Sequence, residues 1–215
     1  MTRPVCAVCL RPQTSCICQW ITPTVHAVEV LILQHPMEVA NAKGSARLLH
    51  LSLPHSRMVT GEVFEKAALQ AWLTESWTPA ASPPGNAASL AKQTVLLYPE
   101  SPAGDGPNLA KPLASDPAAL QDPSQLRLVV LDGTWRKSRK MLYLNPQLQQ
   151  LPRLALQEMP KSRYRIRTAH KPDQLSTLEA CCAALAQIEG TEAPFLPLVA
   201  AFDGFVAQQL AYVPG

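Results

Sequence analysis

The chain has 215 residues, 47% of them hydrophobic and 16% charged, with a formal net charge of +3. That length suits one domain with a small appendage and a real core, and the hydrophobic share excludes wholesale disorder. No apolar run approaches the ~18 residues of a membrane span, and the first residues lack the apolar stretch of a secretory signal, so the expected compartment is the cytoplasm, where thiols stay reduced.

Residues 1–25 form a cysteine-rich head, in which Cys6-x-x-Cys9 is followed six residues later by Cys16-x-Cys18. Four thiols at this spacing fit a closed tetrahedral zinc site with no open position, hence a structural rather than a catalytic metal. Free or redox-active cysteines are the competing reading, His26 is a weaker alternative ligand, and Arg3 and Arg11 are placed to offset thiolate charge.

Residues 26–215 read as one α/β domain. Glu29 to Leu33 is a short, apolar, β-branched run, as expected of a buried strand. Helical spacing follows over Glu38 to Leu51 and again over Glu62 to Trp72. Thr78 to Ala88 is rich in Pro, Ser and Gly and reads as a loop. Thr94 to Tyr98 is a second buried strand, and Pro99 to Pro123 a long Pro-rich connection with room for a short helix near Ala118. Leu128 to Leu131 is a third strand, Trp135 to Leu144 a helix that stops before Asn145-Pro146, and Leu154 to Leu156 a short fourth strand. Leu175 to Ile188 is a helix ended by Gly190, with Cys181 and Cys182 in its core, and Val199 to Ala211 is the last helix. Apolar strands alternating with helices predict a mostly parallel sheet with helices on both faces. Ligands bind such sheets beyond the carboxyl ends of the strands, which points to Tyr98-Pro99 and to Leu131-Asp132-Gly133-Thr134-Trp135. The chain contains neither a G-x-G-x-x-G after a strand nor a Walker A sequence.

Charge is distributed unevenly. Between Gly133 and Pro172 lie ten basic residues and one acid, Glu158, a net of +9, so the rest of the chain carries −6. A local excess of this size predicts a polyanionic partner, with nucleic acid first. Two stretches, one at the start of that segment and one inside it, carry chemistry. Asp132 to Trp135 sits where a strand should end and a helix begin, so its amides and dipole suit a carboxylate or phosphate, although Thr134 as a plain cap and Trp135 as plain packing explain the same residues. Lys161 to Arg167 alternates cations with Ser162, Tyr164 and Ile166, so an extended chain would turn phosphate-binding groups to one side and ligand-binding groups to the other. Ser176-Thr177-Leu178-Glu179 is a capping box whose hydroxyls have a second reading, as cofactor contacts. His35 and Glu38, after the first strand, suit catalysis, substrate binding or local structure equally.

Taken together, Cys6-x-x-Cys9…Cys16-x-Cys18, Gln34-His35-Pro36-x-Glu38, Ala46-Arg47-Leu48, Leu97-Tyr98-Pro99, Asp132-Gly133-Thr134-Trp135, Ser162-x-Tyr164-Arg165-Ile166-Arg167 and Ser176-Thr177-x-Glu179-Ala180 resemble the DTW-domain family. The pieces run in family order over about residues 6–190. The resemblance implies a SPOUT-related α/β fold, with a knot near the C-terminal part of the sheet as an option, and tRNA-uridine aminocarboxypropyltransferase activity. It implies S-adenosylmethionine as donor, tRNA as partner, and a monomer or homodimer. Carried onto this chain, it assigns Tyr98, Pro99, Leu131, Asp132, Gly133, Thr134, Trp135, Ser162, Tyr164, Ser176 and Thr177 to the cofactor site, and His35, Arg47, Arg136, Lys140, Arg163, Arg165 and Arg167 to RNA. The segment after Tyr98-Pro99 is longer and richer in Pro than the family's loop, and Ser45 stands where Thr is expected. Uridine N3 is a poor nucleophile until it loses a proton, so a base is needed. Asp132 is the expected base, with pairing to the donor's ammonium group as its alternative role. A SPOUT-type RNA methyltransferase and a noncatalytic zinc-bearing RNA-binding module are the rival readings.

Overall fold

The computed structural model describes residues 4–77, 92–99, 122–157 and 175–212. Five strands form one sheet in the order β2-β1-β4-β3-β5, where β1 is Glu29–Gln34, β2 Ser56–Thr60, β3 Gln93–Leu97, β4 Leu126–Asp132 and β5 Arg153–Leu154. The β1–β4, β3–β4 and β3–β5 pairings are all parallel. β1 is buried along its whole length, and β4 at every position but Leu131. That explains why both strands lack polar alternation, since a strand covered on both faces has no side to give to water. The expected α/β architecture is therefore present. The knot expectation falls on residues beyond β5 that lie outside the described ones.

The chain divides into two compact units. The sheet unit comprises Ala27–Pro36 and Met58–Ala155. Its core joins Leu31 and Leu33 of β1, Leu96 of β3 and Val129 of β4 to three helices: α2 (Lys66–Thr74), through Leu69 and Leu73; α3 (Trp135–Leu144), through Met141 and Leu142; and α4 (Pro146–Gln149), through Leu148. At the amino end of the strands, Arg127 is fully buried. It donates to Glu29 Oε2 at 2.5 and 2.9 Å and to the carbonyls of Trp72 and Glu75, and its guanidinium lies 4.2 Å from the centre of the Trp77 ring. A buried cation is tolerable only with such complete pairing.

The helical unit comprises Met1–His26, Met37–Arg57 and Leu156–Gly215. It holds α1 (Ala46–Ser52), α5 (Thr177–Glu189) and α6 (Leu196–Leu210). α5 begins with a complete capping box between Ser176 and Glu179 and ends at Gly190 in the left-handed region, as the sequence predicts. Polar clasps tie distant segments of this unit together. Arg11 donates to the Ala42 and Gly44 carbonyls at 2.6 and 2.9 Å, Trp20 Nε1 to Gln208 Oε1 at 2.6 Å, and Tyr212 to the Thr14 carbonyl at 2.5 Å. Gly204 leaves room for Trp20, whose ring stands 2.2 Å from where a Cβ would sit.

Several boundaries differ from expectation. Instead of one helix from Glu38 to Leu51, a short 3-10 turn (Pro36–Glu38) and a turn closed by Gly44 N–H to Asn41 O precede α1. α2 starts at Lys66, because Glu65 caps it by accepting from the Ala67 and Ala68 amides. β2 was not expected from the pattern, since its residues are only half-buried. β5 covers Arg153–Leu154 and stops short of Leu156, and α6 begins at Leu196, before Pro197 in its first turn. The loop expected over Thr78 to Ala88 and the helix expected near Ala118 lie outside the described residues.

Candidate functional site

The first candidate lies where β1 and β4 end side by side. Their register pairs Gln34 with Asp132, and Gln34 Nε2 donates to Asp132 Oδ2 at 3.0 Å. One residue further on, the His35 amide donates to the Asp132 carbonyl at 2.9 Å. Asp132 is 5% exposed, so its carboxylate is aimed by protein groups rather than dispersed into water. Gly133 lets the strand end lie close to α3 and to His35, since a Cβ would sit 3.1 Å from Lys137 Cβ and 3.6 Å from His35 Cβ. Thr134 caps α3 by accepting from the Lys137 amide, and the helix's first backbone bond runs from Ser138 N–H to Thr134 O at 2.8 Å. The plain structural reading of Thr134 is thus fulfilled, and the amides of the first turn of α3 lie directly after Asp132.

Trp135 is different. Its ring stacks on Tyr98 with centroids 5.1 Å apart and planes 19° from parallel. Tyr98 is 5% exposed and Trp135 51%. Burial holds the Tyr98 phenol above its ordinary pKa, so it stays protonated. Pro99, beside it, accepts from Arg153 Nη1 through its carbonyl at 3.3 Å.

A polar chain that sequence reasoning missed extends from the same strand ends. His35 Nε2 and Glu62 Oε1 lie 2.8 Å apart, and Lys140 Nζ and Glu62 Oε2 lie 2.9 Å apart. The bonds from His35 and then from Lys140 hold the Glu62 carboxyl below its ordinary pKa. Glu62 stands between β2 and α2, in a stretch read as helix, so nothing in the local pattern separated it from a solvent-facing helical acid. Lys140, expected on RNA, spends part of its charge on Glu62. Arg136 is exposed on α3, as an RNA contact requires.

Other predicted site residues fall elsewhere. Ser176, Thr177 and Arg47 belong to the helical unit. The Ser176 hydroxyl accepts the Glu179 amide at 3.2 Å, and Ser45 Oγ accepts the Leu178 amide at 3.2 Å, which links the starts of α1 and α5. Arg47 is half-buried on α1 and, after burial itself, helps to lower the pKa of His50. Ser162, Tyr164, Arg163, Arg165 and Arg167 lie outside the described residues.

The second candidate is the cysteine head. The sulfur atoms of Cys6, Cys9, Cys16 and Cys18 all lie within 4.8 Å of one another. Cys6 and Cys18 are 3.6 Å apart, Cys9 and Cys16 3.7 Å. Four thiolates at the usual Zn–S distance of about 2.3 Å in a tetrahedron have sulfur–sulfur edges of about 3.8 Å, so the donor set fits zinc in both chemistry and span. A tight turn builds it: Leu10 takes a φ of +58°, and its amide donates to Cys6 O at 2.9 Å. The amides of Cys9 and Val8 hold the Cys6 thiol down to about 6, while burial pushes Cys18 up to about 12. Arg11, expected to offset thiolate charge, reaches two carbonyls and lies over the Phe205 ring at 5.3 Å. His26 packs against His55 and is not part of the sulfur cluster. Cys181 and Cys182 are buried in α5 as expected.

The model of the DTW domain matches residues 3–210. The chain is 28% identical over 189 residues to tRNA-uridine aminocarboxypropyltransferase 2 of Macaca fascicularis, covering 87% of this chain and 57% of that protein. It is 30% identical over 195 residues to the enzyme of the same name from Drosophila melanogaster, covering 87% and 67%. It is 24% identical over 145 residues to tRNA-uridine aminocarboxypropyltransferase A of Arabidopsis thaliana, covering 65% and 50%. The chain thus spans a little over half the length of the first of these relatives. No solved structure matches it.

Proposed function

The chain belongs to the DTW domain family, and from that membership we propose that it transfers the 3-amino-3-carboxypropyl group of S-adenosylmethionine to N3 of a tRNA uridine. The observation that carries this reading is the Gln34–Asp132 pair at the carboxyl ends of two adjacent parallel strands, directly before the basic helix α3. A carboxylate there stands where open α/β sheets bind their ligands, next to the cations that an RNA needs.

When bound, S-adenosylmethionine supplies a methylene carbon activated by its sulfonium leaving group, so the protein need only bind, orient and deprotonate. Asp132 takes the N3 proton of the uridine, with its carboxylate aimed by the Gln34 amide. The amides in the first turn of α3, at the positive end of the helix dipole, suit the donor's carboxylate. Tyr98, Pro99 and Leu131 supply an apolar wall at the strand ends; Ser162, Tyr164, Ser176 and Thr177 are further donor contacts by family membership. Arg136, Lys140, Arg163, Arg165 and Arg167 meet phosphates, with His35 and Arg47 as further RNA contacts. The four head cysteines hold a structural zinc, with residues 1–25 as the metal-binding head and 26–215 as the catalytic domain. Among the described residues no helix is long and apolar enough to cross a membrane; a cytoplasmic enzyme is part of the proposal.

The test is to incubate the purified chain with S-adenosylmethionine and unmodified tRNA and to analyse the digested nucleosides by mass. Uridine carrying an aminocarboxypropyl group, with methylthioadenosine released, is the expected result. A methylated nucleoside would instead make the chain a methyltransferase, and donor binding without any product would leave no support for transfer.

A further inference from the structure

We propose that Glu62 is a positioning residue for the transfer reaction: it anchors the His35 ring and, through the end of β1, sets the aim of the Asp132 carboxylate. The role rests on the transfer reading above. Glu62 stands in irregular chain between β2 and α2, where an acid without a task turns to water. Both of its oxygens are engaged instead, Oε1 by His35 Nε2 at 2.8 Å and Oε2 by Lys140 Nζ at 2.9 Å. The bond from His35 is the main reason that the carboxyl titrates below its ordinary range. An ionised carboxylate can only accept, so His35 Nε2 carries the shared proton and the orientation of the ring is set.

The backbone beneath Glu62 is itself fixed. Gly61 N–H donates to Gln34 O at 3.0 Å. Asn145, at the end of α3 and 3% exposed, donates through Nδ2 to Glu62 O at 2.9 Å and accepts the Phe64 amide at 2.9 Å. This stretch therefore grips both residues that grip Asp132. Gln34 gives its carbonyl to Gly61 and its side-chain amide to Asp132 Oδ2. His35 gives its ring to Glu62 and its backbone amide to the Asp132 carbonyl. The His35 side chain is 6% exposed, so little water competes for the ring. Stability alone is a poor account of this arrangement. The Lys140 side chain is 58% exposed, and an ion pair so open to water contributes little. Direction is another matter, since a reacting group displaced by about 1 Å loses about a hundredfold in rate.

The experiment compares Glu62→Leu, Glu62→Gln and Glu62→Asp with the unaltered chain in steady-state transfer, varying tRNA and S-adenosylmethionine separately, with thermal melts alongside. Glu62→Leu is also made in an Asp132→Asn background and followed in single turnovers. In Glu62→Leu alone, kcat is expected to fall roughly 10- to 100-fold, with both KM values within about twofold. Glu62→Gln still offers His35 an oxygen and should recover most of the loss. Beside Asp132→Asn, Glu62→Leu should cost less than about threefold, because aiming a group that cannot take a proton gains nothing. Glu62→Asp keeps the charge but is a methylene shorter; it should lower kcat in the same way, and it carries the test if Glu62→Leu melts below the assay temperature. An unchanged kcat would overturn the proposal. So would a loss in Glu62→Gln as deep as in Glu62→Leu, which makes Glu62 a proton carrier, or an undiminished loss beside Asp132→Asn. A change confined to the KM for tRNA would also overturn it, leaving Glu62 as a screen on the basic face. If the unaltered chain transfers nothing, it is the transfer reading that fails, and the positioning role falls with it.

Discussion

The two units of this chain are held together by different means. The sheet unit uses parallel strands that are apolar on both faces, with one fully paired cation, Arg127, at the amino end and its chemistry-bearing residues at the carboxyl end. The helical unit gathers three separated stretches of sequence, and to buried apolar side chains such as Leu48, Leu185 and Phe202 it adds long-range side-chain bonds to carbonyls and amides, with a sulfur cluster inside its first stretch. Burial of apolar area is generic and tolerates small errors of placement. Clasps such as Arg11 to Gly44 O are directional and fix which segment meets which. One unit is therefore expected to lose function before stability, and the other to lose its assembly when a single link is cut.

The largest effect expected is at the carboxyl end of the sheet. Asp132→Asn keeps the shape and the hydrogen bonding but cannot accept the N3 proton, so transfer should fall by about 10²- to 10⁴-fold with the melting temperature nearly unchanged; near-normal turnover would remove Asp132 from the base role. Next comes the opposite end. Arg127→Met leaves the Glu29 carboxylate buried, with Lys92 as its remaining ion-pair partner among the described residues, at 3.7 Å, and should cost about 3 kcal/mol in urea unfolding. The double variant Arg127→Met with Glu29→Leu should recover most of that, because replacing both charges removes the orphan.

In the helical unit, Cys9→Ser should abolish stoichiometric zinc measured by elemental analysis and lower the melting temperature, as should a strong chelator on the unaltered chain; a metal-free, fully stable protein would refute the zinc site. The smallest effect concerns pH. The His50 imidazole is held below its ordinary value of 6.5, first by burial and then by Arg47. Its unfolded form therefore binds the proton more readily, and the stability due to neutral His50 is present above about 6.5 and lost as pH falls below it. Melting temperatures at pH 7.5 and 5.5 should diverge less in His50→Gln than in the unaltered chain.

How much of this was legible in advance follows the same division. β1, β3 and α3 could be read to within a residue and β4 by its inner four residues, because buried strands and an amphipathic helix write their periods into the sequence. α5 was legible for another reason, its capping box and left-handed Gly190. What escaped reading depended on partners far along the chain. β2 is half-buried and carries no period, and α1 is delayed by a turn that Asn41 and Gly44 close. At the candidate site, Asp132 was found from its place after an apolar run. Gln34 was noticed only as part of a motif, and its bond to Asp132 needs the β1–β4 register. Glu62 was invisible as a partner of His35, 27 residues away. The cysteine spacing announced its convergence, whereas the left-handed Leu10 that makes the turn did not.

The clasps between Trp20 and Gln208, and between Thr14 and Tyr212, bear on how the molecule is made. A ribosome delivers the whole sheet unit once Ala155 has emerged, and its core can close at that point. The head waits for residues up to Tyr212, at roughly 5–20 residues per second a delay of about 3 to 11 seconds. During synthesis the cysteines can gather around an ion while the groove that receives Trp20, at Gly204, does not yet exist. Metal capture by the nascent chain, beside the Arg11 bonds to Ala42 and Gly44, would then help to bridge that interval until the last helix arrives.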